Sequence, residues 1–143
     1  MEAARSEGIL DQLAAEVEGR WEEVREDRKP FFQALWKLQQ GEVEEASRLF
    51  RRAARQSPDP FGVMALMGQG RCEILRGREG VALGIFKRVA GSEAPEEIRR
   101  LAWMEVADLA ERRADQELVK QAQAMIRELG PEVVKGVDGS VQG

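Results

Sequence analysis

The sequence predicts an all-α fold, built as an array of helical hairpins. Three observations carry this. One pattern is written twice: Gly41, Ala46, Phe50 and Ala53 are answered by Gly77, Ala82, Phe86 and Val89, each pair 36 residues apart. Self-similarity at a period of roughly 20–50 residues marks a stacked repeat array. Apolar residues recur at spacings of three and four, the period of an amphipathic helix. Proline and glycine punctuate these runs, and no stretch alternates convincingly as a strand would.

The elements follow in order. Ser6 can cap a first helix, and Leu10, Leu13, Val17, Trp21 and Val24 form its apolar stripe, so a helix is expected over 6–28 as an N-terminal cap on the array. Pro30 suits the first turn of the next helix. Phe31, Phe32, Ala34, Leu35, Trp36 and Leu38 are apolar on more than one side, which predicts burial on more than one side. Gly41 is expected to end this helix in the left-handed region. Val43 to Gln56 is its partner, with Ala46, Leu49, Phe50 and Ala53 inward and Arg51, Arg52 and Arg55 outward.

Ser57-Pro58-Asp59-Pro60 is a break, in which Asp59 is expected to cap and Pro60 to open a helix running to about Arg76. Gly77 stops it, and Glu79 to Ala90 is its partner. Pro95, Glu96 and Glu97 open another helix, with acids placed well against the dipole. Asp115 caps the last helix, which carries Leu118, Val119, Ala122, Met125, Ile126 and Leu129. This makes about seven helices in a single domain over 1–129: the cap at 6–28 and hairpins at 30–56, 60–90 and 95–129. Residues 130–143 read as a tail.

Composition narrows the function. The 143 residues are 43% hydrophobic and 34% charged, with net charge −4 and pI near 5.1. That is enough apolar material for a core. The acidic balance argues against nucleic acid, whose phosphates need a basic face. No apolar run reaches the ~18 residues of a membrane span, and no secretory signal is evident, so a cytoplasmic location is expected. There is no His, Tyr, Asn or Thr, and there is one Cys. Ser–His and Cys–His catalysis therefore have no imidazole, and a conventional zinc site lacks ligands. No glycine-rich loop follows a strand, so no nucleotide site is expected. The chain is read as no enzyme, with no cofactor and no metal.

The repeated pattern resembles the tetratricopeptide repeats, helix pairs whose second half reads A-x3-F and then P. Ala46-x3-Phe50 followed by Pro58 matches that half, and Ala82-x3-Phe86 with Ala94-Pro95 repeats it. In the first helices the family's small residue falls on Ala34, Gly70 and Ala107. The third hairpin departs from the pattern: Ala122 or Gln123 stands where the large aromatic belongs. The resemblance covers roughly residues 28–129.

The family works as a concave binding surface, so the resemblance implies a protein–protein interaction module, adaptor or chaperone-like. A subset of the family clamps carboxylates with lysines, arginine and asparagines, but its clamp positions fall here on Phe31, Leu35, Met67 and Arg71. The expected partner-binding face is therefore apolar: Phe31, Leu35, Met64, Met67 and Arg71. A groove of this kind suits an amphipathic or apolar segment of a protein partner. The competing expectation is a structural subunit that self-associates, a homo-oligomer formed through the array end without a peptide ligand. Trp21, Trp36, Trp103 and Cys72 are read as core, and the arginine pairs as a solvated face.

Overall fold

A computed structural model describes residues 20–130. Among them are six α-helices, two single 3-10 turns and no strand. The helices are α1 (Lys29–Gln39), α2 (Val43–Gln56), α3 (Phe61–Leu75), α4 (Glu79–Ala90), α5 (Glu96–Arg112) and α6 (Gln116–Leu129). None is long and apolar enough to cross a membrane. The chain divides into two compact units, one ending at Ile85 and the other beginning at Phe86, so the division falls inside α4.

The expected helix over 6–28 lies mostly outside the described residues, and its described end is not α-helical. Trp21–Glu23 and Glu26–Arg28 are 3-10 turns, separated by Val24 and Arg25 in extended conformation, with ψ of 131° and 145°. Pro30 supplies a reason. Its ring would clash with the carbonyl of Glu26 if the α-helix continued back through that residue. The helical ladder therefore restarts at Lys29, with Pro30 in the first turn.

In the first unit, α1 packs on α2, α2 on α3, and α1 also touches α3. Phe31 is the hub. Its ring meets Phe32, Phe50 and Phe61 edge-on, at centroid distances of 5.2, 6.2 and 5.6 Å. Edge-to-face contact sets the positive ring edge against the negative face of its neighbour. Phe50 comes from α2 and lies directly against Gly68 of α3. A Cβ built at Gly68 would sit inside the van der Waals envelope of the Phe50 ring. Glycine within a helix costs about 0.5–1 kcal/mol relative to alanine. Here that cost is offset by the close approach of an aromatic ring to the α3 backbone.

The chain entering this unit is pinned to it. The Ser57 hydroxyl donates to the Asp27 carbonyl at 2.6 Å, the Arg28 guanidinium lies 4.9 Å over the Phe61 ring, and the Lys29 ammonium lies 4.8 Å over Trp21. At the start of α3 the expected Asp59 cap is not made. The helix begins at Phe61 with Pro60 in the capping position, and no side chain caps it. The Phe61 and Gly62 amides instead donate to the Pro58 carbonyl at 2.8 and 3.2 Å. Asp59 is one residue too early to act as a cap.

In the second unit α5 packs on α6. Ala102, Val106, Leu109 and Ala110 of α5 are buried, as are Leu118, Val119 and Ala122 of α6. Asp115 caps α6 as expected, its carboxylate accepting from the Leu118 amide at 3.2 Å.

Three connections share one backbone geometry. After α1, the Gly41 amide donates to the Leu38 carbonyl and the Glu42 amide to the Lys37 carbonyl, at 3.0 and 2.9 Å. After α3, Gly77 donates to Ile74 and Arg78 to Glu73, at 3.0 and 2.7 Å. After α5, Ala114 donates to Glu111 and Asp115 to Ala110, at 3.1 and 2.9 Å. Each is a Schellman stop, in which one residue at positive φ lets two amides reach back to orphan carbonyls. The φ values are 82° at Gly41, 80° at Gly77 and 58° at Ala114. Two of the turns also carry an ion pair between the residues five apart in sequence that the outer bond joins: Lys37 with Glu42 at 3.2 Å, and Glu73 with Arg78 at 3.7 Å.

Candidate functional site

The five residues expected to form a binding face do not form an open one. Phe31 is fully buried, Leu35 is 2% exposed and Met67 is 7% exposed. Phe31 and Leu35 belong to the core of the first unit, with Phe32, Ala46, Phe50 and Ala65. The physical reason is the double-sided apolar character of α1, which the fold satisfies internally. Met64 and Arg71 are half-buried. With Met67 they fall on one face of α3, since residues 64, 67 and 71 follow the helical period.

Among the tryptophans, Trp103 is buried as expected, whereas Trp21 and Trp36 are only half-buried. Their rings meet at 4.9 Å, tilted by 54°. With Gln39 and Gln40 they line an open cleft of about 500 Å³.

Cys72 is fully buried, in agreement with its reading as a small hydrophobe. Burial, with a smaller contribution from the Glu73 carboxylate, pushes its thiol from the ordinary 9.0 up to about 11. A thiol held protonated is a poor nucleophile at neutral pH. Beside it a polar clasp joins α2 to the end of α3. The Arg76 guanidinium donates to the buried Ser47 hydroxyl at 3.3 Å, and pairs with Glu44 at 2.9 Å and Glu73 at 3.3 Å. Every member has a structural partner, so this cluster is a tie between helices.

The outer face of α2 differs in kind. Glu45, Arg48, Leu49, Arg52, Arg55 and Gln56 line a shallow cleft of about 370 Å³. Arg48, Arg51, Arg52 and Arg55 are all exposed. Glu45 pairs with Arg48. Arg51 donates to the Ser47 hydroxyl at 3.4 Å and Arg52 to the Gln56 carboxamide at 3.1 Å. Among the described residues, no carboxylate pairs with Arg51, Arg52 or Arg55. The informative spacing is not that of adjacent arginines but 48, 52, 55, a single helical stripe. Comparison with protein-family models, with curated proteins and with solved structures returns no match to this chain.

Proposed function

We propose that the chain is a non-catalytic interaction module, a short array of tetratricopeptide-like hairpins that holds a segment of a partner protein. One observation carries the reading. The same Schellman stop occurs at Gly41, Gly77 and Ala114, separated by 36 and then 37 residues, each between the two helices of a proposed hairpin. A repeat visible both in side chains and in backbone bonding supports a modular array, and arrays of this kind act through extended surfaces. The surface proposed for the partner is the half-buried α3 face of Met64 and Arg71, one helical turn either side of Met67. Methionine adapts to apolar segments, and Arg71 would fix register through a charge-assisted bond.

The test uses the full chain as bait in an extract of its native host, with an unfolded Phe50→Ala bait as control. Retention of a protein by the folded chain alone, followed by saturable one-to-one binding of the purified pair, is the expected result. Concentration-dependent self-association in light scattering, with nothing retained, would instead favour the structural subunit.

A further inference from the structure

We infer that the exposed face of α2 is a second docking surface, and that its occupant is an acidic amphipathic helix of a partner protein. Four guanidinium groups project from residues 48–55, and among the described residues one carboxylate, Glu45, is paired with them. The other nearby acid of α2, Glu44, is taken by Arg76 at 2.9 Å. Like charges three and four residues apart on a helix repel one another. Arg55 lies in the last turn, where the helix dipole favours a cation, but Arg48 and Arg52 are too far back to gain from it. The fold therefore carries a repulsion that it does not need. In the register set by the three turns, the second hairpin keeps two cations at the corresponding positions, Lys87 and Arg88. The third keeps none and has Glu128 in place of Arg55.

The arrangement selects a helix. Residues 45, 48, 49, 52, 55 and 56 run straight along one side of α2 for about 17 Å, at 1.5 Å per residue. Half-buried Leu49 lies among the arginines and offers one apolar contact. A second helix laid along this line presents its own side chains at three- and four-residue spacing. Acids on that spacing meet Arg48, Arg52 and Arg55, and an apolar residue meets Leu49. Arginine forks bind carboxylates in pairs of hydrogen bonds. Duplex nucleic acid is the weaker occupant, because the chain as a whole carries charge −4 and would repel an extended polyphosphate.

The probe is a fluorescent helical peptide with glutamates at first, fifth and eighth positions around one leucine, titrated with the full chain at low salt. Its partner probes are the same peptide with glutamine for glutamate, and a short DNA duplex. The acidic peptide should bind at least ~10-fold more tightly than the glutamine peptide, and added salt should weaken it. The double variant Arg52→Glu with Arg55→Glu should lose at least ~10-fold while its unfolding temperature stays at the wild-type value. Should charge reversal perturb folding, Arg52→Gln with Arg55→Gln gives a smaller loss from a folded protein. No binding of the acidic peptide, equal binding of the glutamine peptide, or tighter binding of the duplex each overturns the inference. Capture of a partner by the wild-type chain combined with failure of the acidic peptide removes this surface and leaves the proposed function standing.

Discussion

The first hairpin, α1–α2, and the third, α5–α6, close with the same Schellman stop and diverge in their second helices. In the shared register Ala46 corresponds to Val119, and both are buried. Phe50 corresponds to Gln123: Phe50 is fully buried and Gln123 is exposed. The turn and a buried apolar residue at this position are what the two hairpins share. The aromatic serves another purpose, because Phe50 reaches past its own hairpin to Gly68 on α3. Where no described helix is met, a polar residue stands in the same place. At Ala46 and Phe50 the A-x3-F pattern thus carries two signals, one for closing α1 on α2 and one for joining α2 to α3.

The strongest way to break this comparison is to truncate both side chains. Phe50→Ala removes a ring held by Phe31 and Gly68, and a Phe-to-Ala change in a core costs about 3–5 kcal/mol. Gln123→Ala lies on an exposed surface and should stay within about 0.5 kcal/mol of wild type. Chemical denaturation of the two variants reads the difference directly. Equal midpoints would show that the register joining the hairpins is wrong.

Alkaline pH sharpens the contrast further. Cys72 belongs to the unit that holds the first hairpin, and α5 and α6 contain no cysteine. Its folded pKa of about 11 lies above the ordinary 9.0, so the folded state retains a proton that the unfolded chain releases. Stability from this group is complete below pH 9 and falls as pH rises toward 11, by about 1.4 kcal/mol per pH unit. The total loss is on the order of 2–3 kcal/mol by pH 11. Cys72→Ala should lack that slope. Wild type and variant losing stability in parallel between pH 9 and 11 would show that the thiol is not buried as described.

Much of this architecture was legible in the sequence, and the exceptions share a cause. Val43–Gln56 and Glu79–Ala90 were readable to the residue because glycine stops precede both and apolar spacing runs through them. Cys72 and Trp103 were readable as core because each sits in a helix whose neighbours fix its face. Residues 20–28 depart from the expected α-helix because the apolar period runs on through Val24, and period does not report the clash at Glu26. The burial of Phe31, Leu35 and Met67 in the expected five-residue face has a deeper reason. Family positions show which side of a helix a residue occupies, but not whether the fold covers that side. Phe31 and Leu35 are apolar enough to be wanted by the core, and the core took them. The arginine stripe is not legible in the sequence because exposed charge is ordinary, and its lack of carboxylates among the described residues follows only from the bond of Glu44 to Arg76.

The turns themselves supply the smallest and most discriminating test. Gly41 and Gly77 hold positive φ, and nothing lies within 4 Å of a Cβ added at either. Replacing either with alanine therefore adds backbone strain alone, at about 1–2 kcal/mol for a left-handed L-residue, less the entropy that alanine removes from the unfolded chain. A net loss near 1 kcal/mol is expected at each. Ala114 already bears that strain at φ 58°. Ala114→Gly relieves it and should stabilise the protein by up to about 1 kcal/mol, the same preference for glycine that the reverse exchange reads as a loss at the other two turns. Three variants measured in one denaturant series thus ask whether three turns are one motif. A gain at 114 with losses at 41 and 77 fits a single stop whose third copy lost its glycine. A loss at 114 would mean that the alanine methyl makes a contact there worth more than the strain, and the equivalence of the third hairpin to the first would fail at the position that defines it.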